Sequence, residues 1–522
     1  MTQFKCEFAN VSPKDIKEVV LGEEIGIEEV IAVARYNAKV VFSEKYIARA
    51  KACRRLVEKF SDEERVMYGI TTGLGENWNK FIPKEDREIV QRNNILSHTC
   101  SVGEPLEEDC VRAMMFVMLQ HLGSGHAGVR LITLERIRDL LNNDIIPFTP
   151  RHGSVGYLCL EAHISQILIG EGRAWYRGEL MKGKEALEKA RLKPIVLSSK
   201  EGLSLVSGTT SVTALTVLGL YDSLVASKTC DIIGSMSLEV LKGTLTAMDP
   251  RIMEVRPHED QGKTAKNINN ILKDSEIVKK YKGYRVQDAL SLRSMPQLHG
   301  AAKKILKDSL KTLTIELNSS VDNPLIFKDG DDGVALMGCN ADGAYVGMAA
   351  DASVIAITNL GKMSERRLDR LVNHHVSELP AFLNSNPGLN NGLMMPQYSA
   401  AGIIGQMRIL SHPATIDNVV TCANQEDYVS MGYNAARKIY EAAGLLKYVL
   451  AIELMNAAQA QDFYKDLKPS IVTRKVYELV RKTVPFIEKD CNMHPYIEHI
   501  AALIKDNIVV ETVEIEIGKL EF

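Results

Sequence analysis

Apolar side chains recur at helical spacing over three unusually long stretches of the sequence. These stretches run from Val206 to Leu241, from Asp342 to Leu371 and from Ala435 to Gln461. Such lengths exceed those of typical globular helices, so the helices have to bury their apolar faces against one another. The pattern therefore predicts a mainly α protein built around a central bundle of long helices.

The sequence divides into three consecutive parts of different character. Residues 1–200 are richer in glycine and in short apolar runs, which predicts a loop-rich N-terminal domain of partly α/β character. Residues 201–470 contain the long helices of the predicted bundle. Residues 471–522 are expected to be helical with a short strand, because Ile508 to Ile517 alternates like a strand.

Composition and charge restrict the class of protein. The formal net charge is -3 with both signs interspersed, so there is no nucleic-acid-binding pattern. No apolar run reaches the length of a membrane span, and Met1 to Cys6 carries no apolar signal region. Nine cysteines without Cys-x-x-Cys spacing indicate free thiols rather than a disulfide framework or a zinc site. We expect a cytoplasmic protein that acts on a small molecule, without a metal, nucleic acid or membrane partner.

A tyrosine begins a glycine-rich segment near the N-terminus. Residues 68–75 read Tyr-Gly-Ile-Thr-Thr-Gly-Leu-Gly. Glycines at this density permit positive φ angles and mobility, as a lid over a site requires. An isolated segment of this kind is more often a simple turn. Tyr68 becomes a candidate acid or base only when further motifs accompany it.

Five further motifs accompany this segment. They read Asn-Ile-Leu-Ser-His at 94–98, Lys-Glu-Gly-Leu-Ser-Leu-Val-Ser-Gly-Thr-Thr at 200–210, Val-Gln-Asp-Ala-Leu-Ser-Leu-Arg-Ser-Met-Pro-Gln at 286–297, Ser-Val-Asp-Asn-Pro-Leu at 320–325 and Thr-Cys-Ala-Asn-Gln-Glu-Asp-Tyr-Val-Ser-Met-Gly at 421–432. In this order the motifs resemble those of the histidine and phenylalanine ammonia-lyase family. The resemblance implies the ammonia-lyase/fumarase-like helical fold, carbon–nitrogen lyase activity and a homotetramer whose active sites are shared between subunits.

The resemblance also implies roles for individual side chains. Tyr68 corresponds to a catalytic acid/base, and Arg293 to the guanidinium that binds the substrate carboxylate, a pairing that suits its geometry. His98 and Glu426 correspond to residues that face an imidazole ring. A carboxylate at position 426 can accept an imidazole N–H and can also take a proton, so Glu426 is a second candidate catalytic residue. Asn323 is expected to be either structural or beside the ligand. The alternatives are a structural hydrogen-bonding role for His98 and a buried carboxylate at a helix start for Glu426.

The sequence departs from the family pattern around one chemical group. In the family, Gly-Ser-Val-Gly precedes Ala-Ser-Gly, which cyclises into methylidene-imidazolone (MIO), an electrophile that activates the substrate amine. Here residues 153–158 read Gly-Ser-Val-Gly-Tyr-Leu. The family's Asn that holds the ring is Ser207, its neighbouring Tyr is Leu290 and its neighbouring Phe is Ala341. Because these departures concern one group, we predict that MIO is absent and that the protein uses no cofactor.

An ammonia-lyase fold without MIO requires a different leaving group. Ammonia leaves carbon poorly and is activated by adding its lone pair to MIO, whereas a trimethylammonium group has no lone pair and leaves as neutral trimethylamine. The sequence therefore predicts that trimethylamine is eliminated from a histidine betaine, with ergothioneine the best candidate and thiourocanate the product. Tyr68 would remove the proton, which requires a depressed pKa. Ser207 lies in the vacated space, and Tyr157 or Tyr398 is a candidate for cation–π contact with the methyl groups.

Two alternatives remain at the level of sequence. One is a conventional MIO-dependent histidine ammonia-lyase whose Ala-Ser-Gly is missing from the written sequence. The other is a catalytically inactive homologue that only binds a ligand. Retention of Tyr68, Arg293 and Glu426 argues against the inactive homologue, because a site without chemistry has no need of all three.

Overall fold

A computed structural model describes residues 12–522, and helices dominate it. In chain order the helices are α1 (Ile27–Tyr36), α2 (Glu44–Asp62), α3 (Arg87–His98), α4 (Glu108–Leu122), α5 (Leu131–Asn142), α6 (Cys159–Leu168), α7 (Gly183–Lys189), α8 (Glu201–Ser204), α9 (Thr210–Val240), α10 (Pro250–Glu254), α11 (Glu259–Ile271), α12 (Glu276–Lys280), α13 (Leu290–Arg293), α14 (Met295–Leu317), α15 (Ala344–Val372), α16 (His374–Ser377), α17 (Met394–Leu410), α18 (Gly432–Gln461), α19 (Ile471–Arg481), α20 (His494–Lys505) and α21 (Ile508–Ile517). The mainly α fold is thus confirmed. The segment from Met1 to Cys6, where no signal region was predicted, lies outside the described residues.

The long helices predicted from the apolar pattern are present as α9, α15 and α18, and α14 is a fourth. Helix α9 alone among the described helices is long and apolar enough to cross a membrane, and 94% of its apolar window is buried inside the protein. Such burial is typical of the core helix of a globular bundle.

Among residues 12–522, nine short strands form four small sheets. In chain order the strands are β1 (Glu18–Leu21), β2 (Lys39–Phe42), β3 (Val102–Pro105), β4 (Ile145–Pro147), β5 (Pro150–His152), β6 (Arg173–Tyr176), β7 (Glu179–Lys182), β8 (Leu325–Asp329) and β9 (Asp332–Leu336). Strands β1 and β2 pair in parallel, whereas β3–β5, β4–β6–β7 and β8–β9 are antiparallel. Seven of the nine strands fall before residue 200, which gives that part its α/β character.

The chain folds into two compact units, each made of three separate segments. Unit 1 contains the chain up to Tyr221 together with Ser309–Asp351 and Pro413–Arg437. Unit 2 contains Asp222–Asp308, Ala352–His412 and Lys438–Phe522. The predicted division at residues 200 and 470 stays a prediction about consecutive domains.

The strand expected near the C-terminus is wrong, because Ile508–Ile517 is helix α21. Its buried residues, Val509, Val510 and Val513, recur at helical spacing, and the helix packs against α19 and α20. Burial against these neighbours outweighs the strand preference of a segment rich in β-branched residues.

A wholly buried ion pair joins the long helices within unit 2. Arg367 of α15 donates from Nε and Nη2 to the two carboxylate oxygens of Glu453 on α18, at 2.6 and 2.9 Å. The hydroxyls of Ser237 on α9 and Ser364 on α15 also donate to this carboxylate. Both charged side chains are 0% exposed, so each charge depends on the other for compensation.

The substitution Glu453→Gln should strongly destabilise the fold, because it leaves the buried Arg367 guanidinium without a counter-ion. We expect a loss of about 3–5 kcal/mol in the free energy of unfolding, measured by denaturant titration or as a lower melting temperature. The control is Glu478→Gln, whose pair with Arg474 is half exposed and is expected to contribute only about 0–1 kcal/mol. Equal stability of the two variants would contradict this assignment.

Candidate active site

Unit 1 contains a cavity of about 360 Å³ into which several of the predicted site residues project. Short segments that are distant in the sequence form its walls. The lining residues are Tyr68, Gly75, Trp78, Tyr157, Leu158, Leu203, Ser207, Asn323, Met337, Gly338, Cys339, Ala341, Gln425 and Glu426. Five of the eight predicted site residues, from five different motifs or loops, therefore meet in one cavity.

The glycine-rich segment forms an ordered turn that fixes Tyr68. The Tyr68 hydroxyl accepts a hydrogen bond of 2.9 Å from the Gly75 backbone N–H. Gly75 has a φ of +55°, and a Cβ at this position would lie 2.3 Å from the Cys422 Sγ. The turn is held further by the Thr71 hydroxyl, which donates to the Arg65 carbonyl and accepts from the Met67 N–H. Only glycine at position 75 allows this close approach.

The environment of Tyr68 raises its pKa, whereas a depressed pKa was expected from the sequence. Burial is the largest cause of the raised pKa, and electrostatic interaction with Cys422 and with the Glu426 carboxylate acts in the same direction. The hydrogen bond from the Gly75 N–H acts in the opposite direction, since it favours the phenolate. The protein by itself therefore holds Tyr68 as a neutral phenol at neutral pH.

Glu426 lies in a loop before α18. The alternative interpretation, a buried carboxylate at the start of a helix, is therefore wrong. The Thr421 hydroxyl donates to its Oε2 at 2.7 Å, and the Thr421 N–H donates to the Glu426 carbonyl at 2.9 Å. This short bridge orients a half-buried carboxylate towards the cavity. The carboxylate keeps further lone pairs with which to accept a ligand N–H.

Tyr157 lines the cavity from the loop that precedes α6. Burial raises the Tyr157 pKa well above its usual range, and the negative charge of the neighbouring Glu426 carboxylate acts in the same direction. Ser154 Oγ accepts the Gly156 N–H and donates to the Tyr157 carbonyl, both at 3.2 Å, while Leu158 adopts a positive φ of +78°. The Leu158 N–H donates to the Val206 carbonyl at 3.1 Å, so this irregular loop is attached to the segment before α9 and its unfavourable backbone angle is maintained by the surrounding structure.

A buried ion pair fixes the opposite wall of the cavity. Lys200 Nζ lies 2.5 Å from Asp322 Oδ2, and the Ser204 hydroxyl donates to the same oxygen at 2.7 Å. Asp322 Oδ1 accepts the N–H of Asn323, whose own Oδ1 accepts the Gly338 N–H at 3.0 Å. The hairpin of β8 and β9 keeps these residues adjacent, since its first and last residues pair. Asn323 is therefore held rigidly at the cavity wall.

Three predicted site residues do not line this cavity. His98 ends α3 in unit 1, where its Nδ1 donates to the Asn94 carbonyl at 2.6 Å and leaves Nε2 as the acceptor of the neutral ring. Arg293 ends α13 in unit 2, and its Nε donates to the Asp288 carbonyl at 2.9 Å. Within residues 12–522 the two terminal nitrogens of Arg293 have no hydrogen-bond or ion-pair partner. Tyr398 lies on α17 in unit 2 and is 64% exposed.

Sequence reasoning missed several residues of the cavity. Trp78, Met337, Cys339 and Gln425 line it. Trp78 is three residues after Gly75 of the glycine-rich segment, and Gln425 directly precedes Glu426. Their closeness in sequence to these positions could have indicated that they line the site. Met337 and Cys339 follow β9 directly and lie within four residues of Ala341, so the same signal was available for them. Across the described part of the chain, no group of three or more His, Cys, Asp or Glu side chains is arranged to hold a metal ion.

Comparison of the sequence with known proteins gives matches over nearly its whole length. The sequence model described as aromatic amino acid lyase matches residues 25–482. The chain is 41% identical over 501 residues to a histidine ammonia-lyase of Alkaliphilus metalliredigens, covering 95% of this chain and 98% of that protein.

Comparison of the fold with solved structures agrees. The fold is similar to that of histidine ammonia-lyase from Trypanosoma cruzi, with a TM-score of 0.90, 33% identity and 95% of each chain covered. It is also similar to the ergothioneine-degrading enzyme ergothionase from Treponema denticola, in complex with desmethyl-ergothioneine sulfonic acid. That match has a TM-score of 0.86 and 28% identity, and covers 94% of this chain and 99% of the other. The fold class expected from the motifs is confirmed.

The substitution Gly75→Ala should lower catalytic turnover by displacing the N–H that holds Tyr68. The added Cβ meets Cys422 Sγ, and a left-handed backbone costs a non-glycine residue about 1–2 kcal/mol, or roughly tenfold in rate if it falls on the transition state. The double variant Gly75→Ala/Cys422→Ala removes the clash but not the backbone strain, so we expect partial recovery in steady-state assays. A single variant as active as the unmodified protein would refute this role of the turn.

Proposed function

Since the chain belongs to the aromatic amino acid lyase family and is a carbon–nitrogen lyase, we propose that it is ergothionase-like and eliminates trimethylamine from ergothioneine to give thiourocanate. The observation that carries this proposal is the direct step from Gly156 to Tyr157, whose ring lines the cavity beside Glu426. Family membership also favours an enzyme over a homologue that only binds a ligand.

The residues of the loop do not fit the MIO group of conventional ammonia-lyases. That group forms from Ala-Ser-Gly, and this tripeptide occurs nowhere in the 522 residues. Ser207 and Ala341 line the cavity where the family pattern has the ring-holding Asn and a Phe, so the side chains that would support the ring have changed as well. We therefore derive the reaction from the side chains of the chain and use no prosthetic group.

A quaternary amine suits a cavity of this kind. Its nitrogen has no lone pair to add to an electrophile, and it departs as neutral trimethylamine without further activation. Substituting Ala341 for the family's Phe leaves space that three methyl groups can fill. Conjugation of the new double bond with both the ring and the carboxylate favours the product.

Substrate binding would use the proximity of Tyr157 and Glu426 in the cavity. An imidazole N–H of the substrate is a suitable donor to the Glu426 carboxylate. The neighbouring Tyr157 ring can then face the trimethylammonium group, a cation–π contact of about 0.5–2 kcal/mol. In this proposal Asn323 and Ser207 complete the wall of the site, and His98 contributes to binding of the ring.

Arg293 and Tyr398 are proposed to reach the substrate through assembly of subunits. The resemblance implies a homotetramer with shared active sites, and both residues lie in unit 2 outside the cavity. The terminal nitrogens of Arg293 remain available for a carboxylate, and Tyr398 and Leu290 expose 64% and 62% of their surfaces. Large exposed apolar side chains are typical of surfaces that a partner covers. The tetramer and the cytoplasmic location remain predictions.

In the proposed elimination Tyr68 is the base. Its phenolate removes the proton from the carbon next to the ring while the bond from the neighbouring carbon to nitrogen breaks. The substrate's permanent positive charge would lower the Tyr68 pKa, offsetting the burial that raises it in the free protein. The Gly75 N–H further stabilises the phenolate.

Histidine deamination is a second candidate, favoured by the 41% identity to a histidine ammonia-lyase. It requires a MIO group, and hence three residues that are absent from the sequence. The intact mass of the purified protein distinguishes these possibilities directly, because three additional residues would increase it.

Purified protein incubated with ergothioneine should produce a conjugated absorbance together with an equal amount of trimethylamine. Histidine should give no urocanate, because its primary amine leaves only after activation. The matched control is histidine betaine without the sulfur, which tests whether the thione is required. Rapid urocanate formation that borohydride blocks would establish an electrophile and refute the proposal.

The pH dependence should identify Tyr68 as the base. Because the base acts deprotonated and its pKa is raised in the free protein, kcat/KM should increase with pH through the alkaline range. The corresponding limb of kcat should lie at lower pH, since bound substrate contributes its positive charge. Tyr68→Phe should lose turnover, whereas Tyr157→Phe should keep the alkaline limb and mainly raise KM. Unchanged turnover in Tyr68→Phe would exclude it as the base.

A further inference from the structure

Two cysteines lie together beside the cavity loop. The Sγ atoms of Cys100 and Cys159 are 3.8 Å apart, although 59 residues separate them in the sequence. Cys100 is exposed and follows α3 by two residues, and Cys159 is the partly buried first residue of α6. Because α3 packs against α6 within unit 1, the secondary structure itself maintains this proximity.

We propose that Cys100 and Cys159 form a reversible disulfide under oxidation by a peroxide, and that this bond switches the site off. A disulfide needs its sulfurs about 2.05 Å apart, so the atoms must approach by about 1.8 Å from their present distance. The loop of residues 153–158, which precedes Cys159, lies outside any helix or strand, so a movement of this size requires only small changes in its backbone torsions. The proposal concerns the thiols alone and does not depend on which amine is the substrate.

The two thiols suit different steps of the oxidation. The exposed Cys100 thiolate attacks one peroxide oxygen, the O–O bond breaks and hydroxide leaves, which gives a sulfenic acid. The Cys159 thiolate then displaces the second hydroxide from that sulfur and forms the S–S bond. Two thiols and one peroxide give one disulfide and two waters, and two electrons pass from sulfur to the peroxide.

The resolving thiol becomes more reactive after the first step. Burial, followed by the charge and hydrogen bond of Cys100, raises the Cys159 pKa to about 12. Oxidation of Cys100 to the neutral sulfenic acid removes the repulsion by its thiolate. Cys159 therefore resists oxidation until its neighbour has reacted, which favours the disulfide over two independent lesions.

Closure of the disulfide would displace the residues that precede Cys159. Tyr157 is two residues before it and lines the cavity together with Glu426, and Leu158 already has a positive φ. Cys100 is similarly two residues from His98. The bond would tie both segments together and shift Tyr157 from Glu426, and misplacement of about 1 Å can cost up to about a hundredfold in rate.

The test uses the full-length protein, one equivalent of hydrogen peroxide and dithiothreitol for reversal. Peptide mapping without reductant should give a Cys100–Cys159 linked pair, and hydrogen exchange in residues 153–158 should slow. Turnover should fall about tenfold to a hundredfold and recover with dithiothreitol. Neither mapping nor exchange requires a known substrate, so failure of the proposed function would not obscure the result.

Two variants provide the controls. Cys100→Ser should retain the basal turnover and lose the sensitivity to peroxide, whereas Cys491→Ser, which removes another exposed thiol, should remain sensitive. The proposal is overturned if no linked pair forms, if the linked protein keeps its turnover, or if Cys100→Ser is inactivated equally. The last outcome would assign the sensitivity to another thiol, such as the exposed Cys339 in the cavity.

Discussion

The buried ion pair of Lys200 and Asp322 is the interaction on which the candidate site depends. Its side chains are 0% and 5% exposed, so removing either partner would strand a charge away from water. The pair joins the start of α8, which carries the cavity residue Leu203, to the segment that carries Asn323. The opposite wall is formed by the Tyr68 turn, which backbone hydrogen bonds hold in place, and by the irregular Tyr157 loop. In the two proposals, catalysis and regulation both act through this opposite wall.

Helical periodicity was sufficient to predict the long helices, because their buried faces repeat over seven or more turns. The same reasoning failed at Ile508–Ile517, where β-branched residues favour a strand and only the packing against α19 and α20 selects a helix. The sequence motifs were sufficient to identify Tyr68, Ser207, Asn323 and Glu426 as site residues. Only the folded structure shows that they line one cavity. The sign of the Tyr68 pKa shift was not predictable, since burial and the neighbouring charges arise only from the folded chain. The proximity of Cys100 and Cys159 likewise leaves no spacing pattern in the sequence.

In the proposed reaction the substrate, and not the protein, supplies the activation of the leaving group. Conventional members of the family supply an electrophile that makes a primary amine leave. In the present proposal the leaving group is already activated, and its charge also adjusts the base. A neutral Tyr68 in the free protein is then an advantage, because the site becomes basic only when a cation is bound. Substrates without that charge would find a protonated phenol and no electrophile, which gives selectivity at the chemical step as well as in binding.

Because unit 1 is made of three separate chain segments, it cannot complete its fold early in synthesis. Its first segment ends at Tyr221, Asn323 arrives with the second and Glu426 with the third, after two long portions of unit 2 have already been translated. During synthesis on the ribosome, the first segment therefore cannot complete its packing until residue 437 has emerged. Until then its cavity-facing surface is uncovered. A nascent chain that stops before that point carries Tyr68 but lacks Glu426, so under the proposed function premature termination would give an inert fragment. Such a chain also exposes apolar surface for longer than a sequentially folded domain, which makes it a natural client for chaperones.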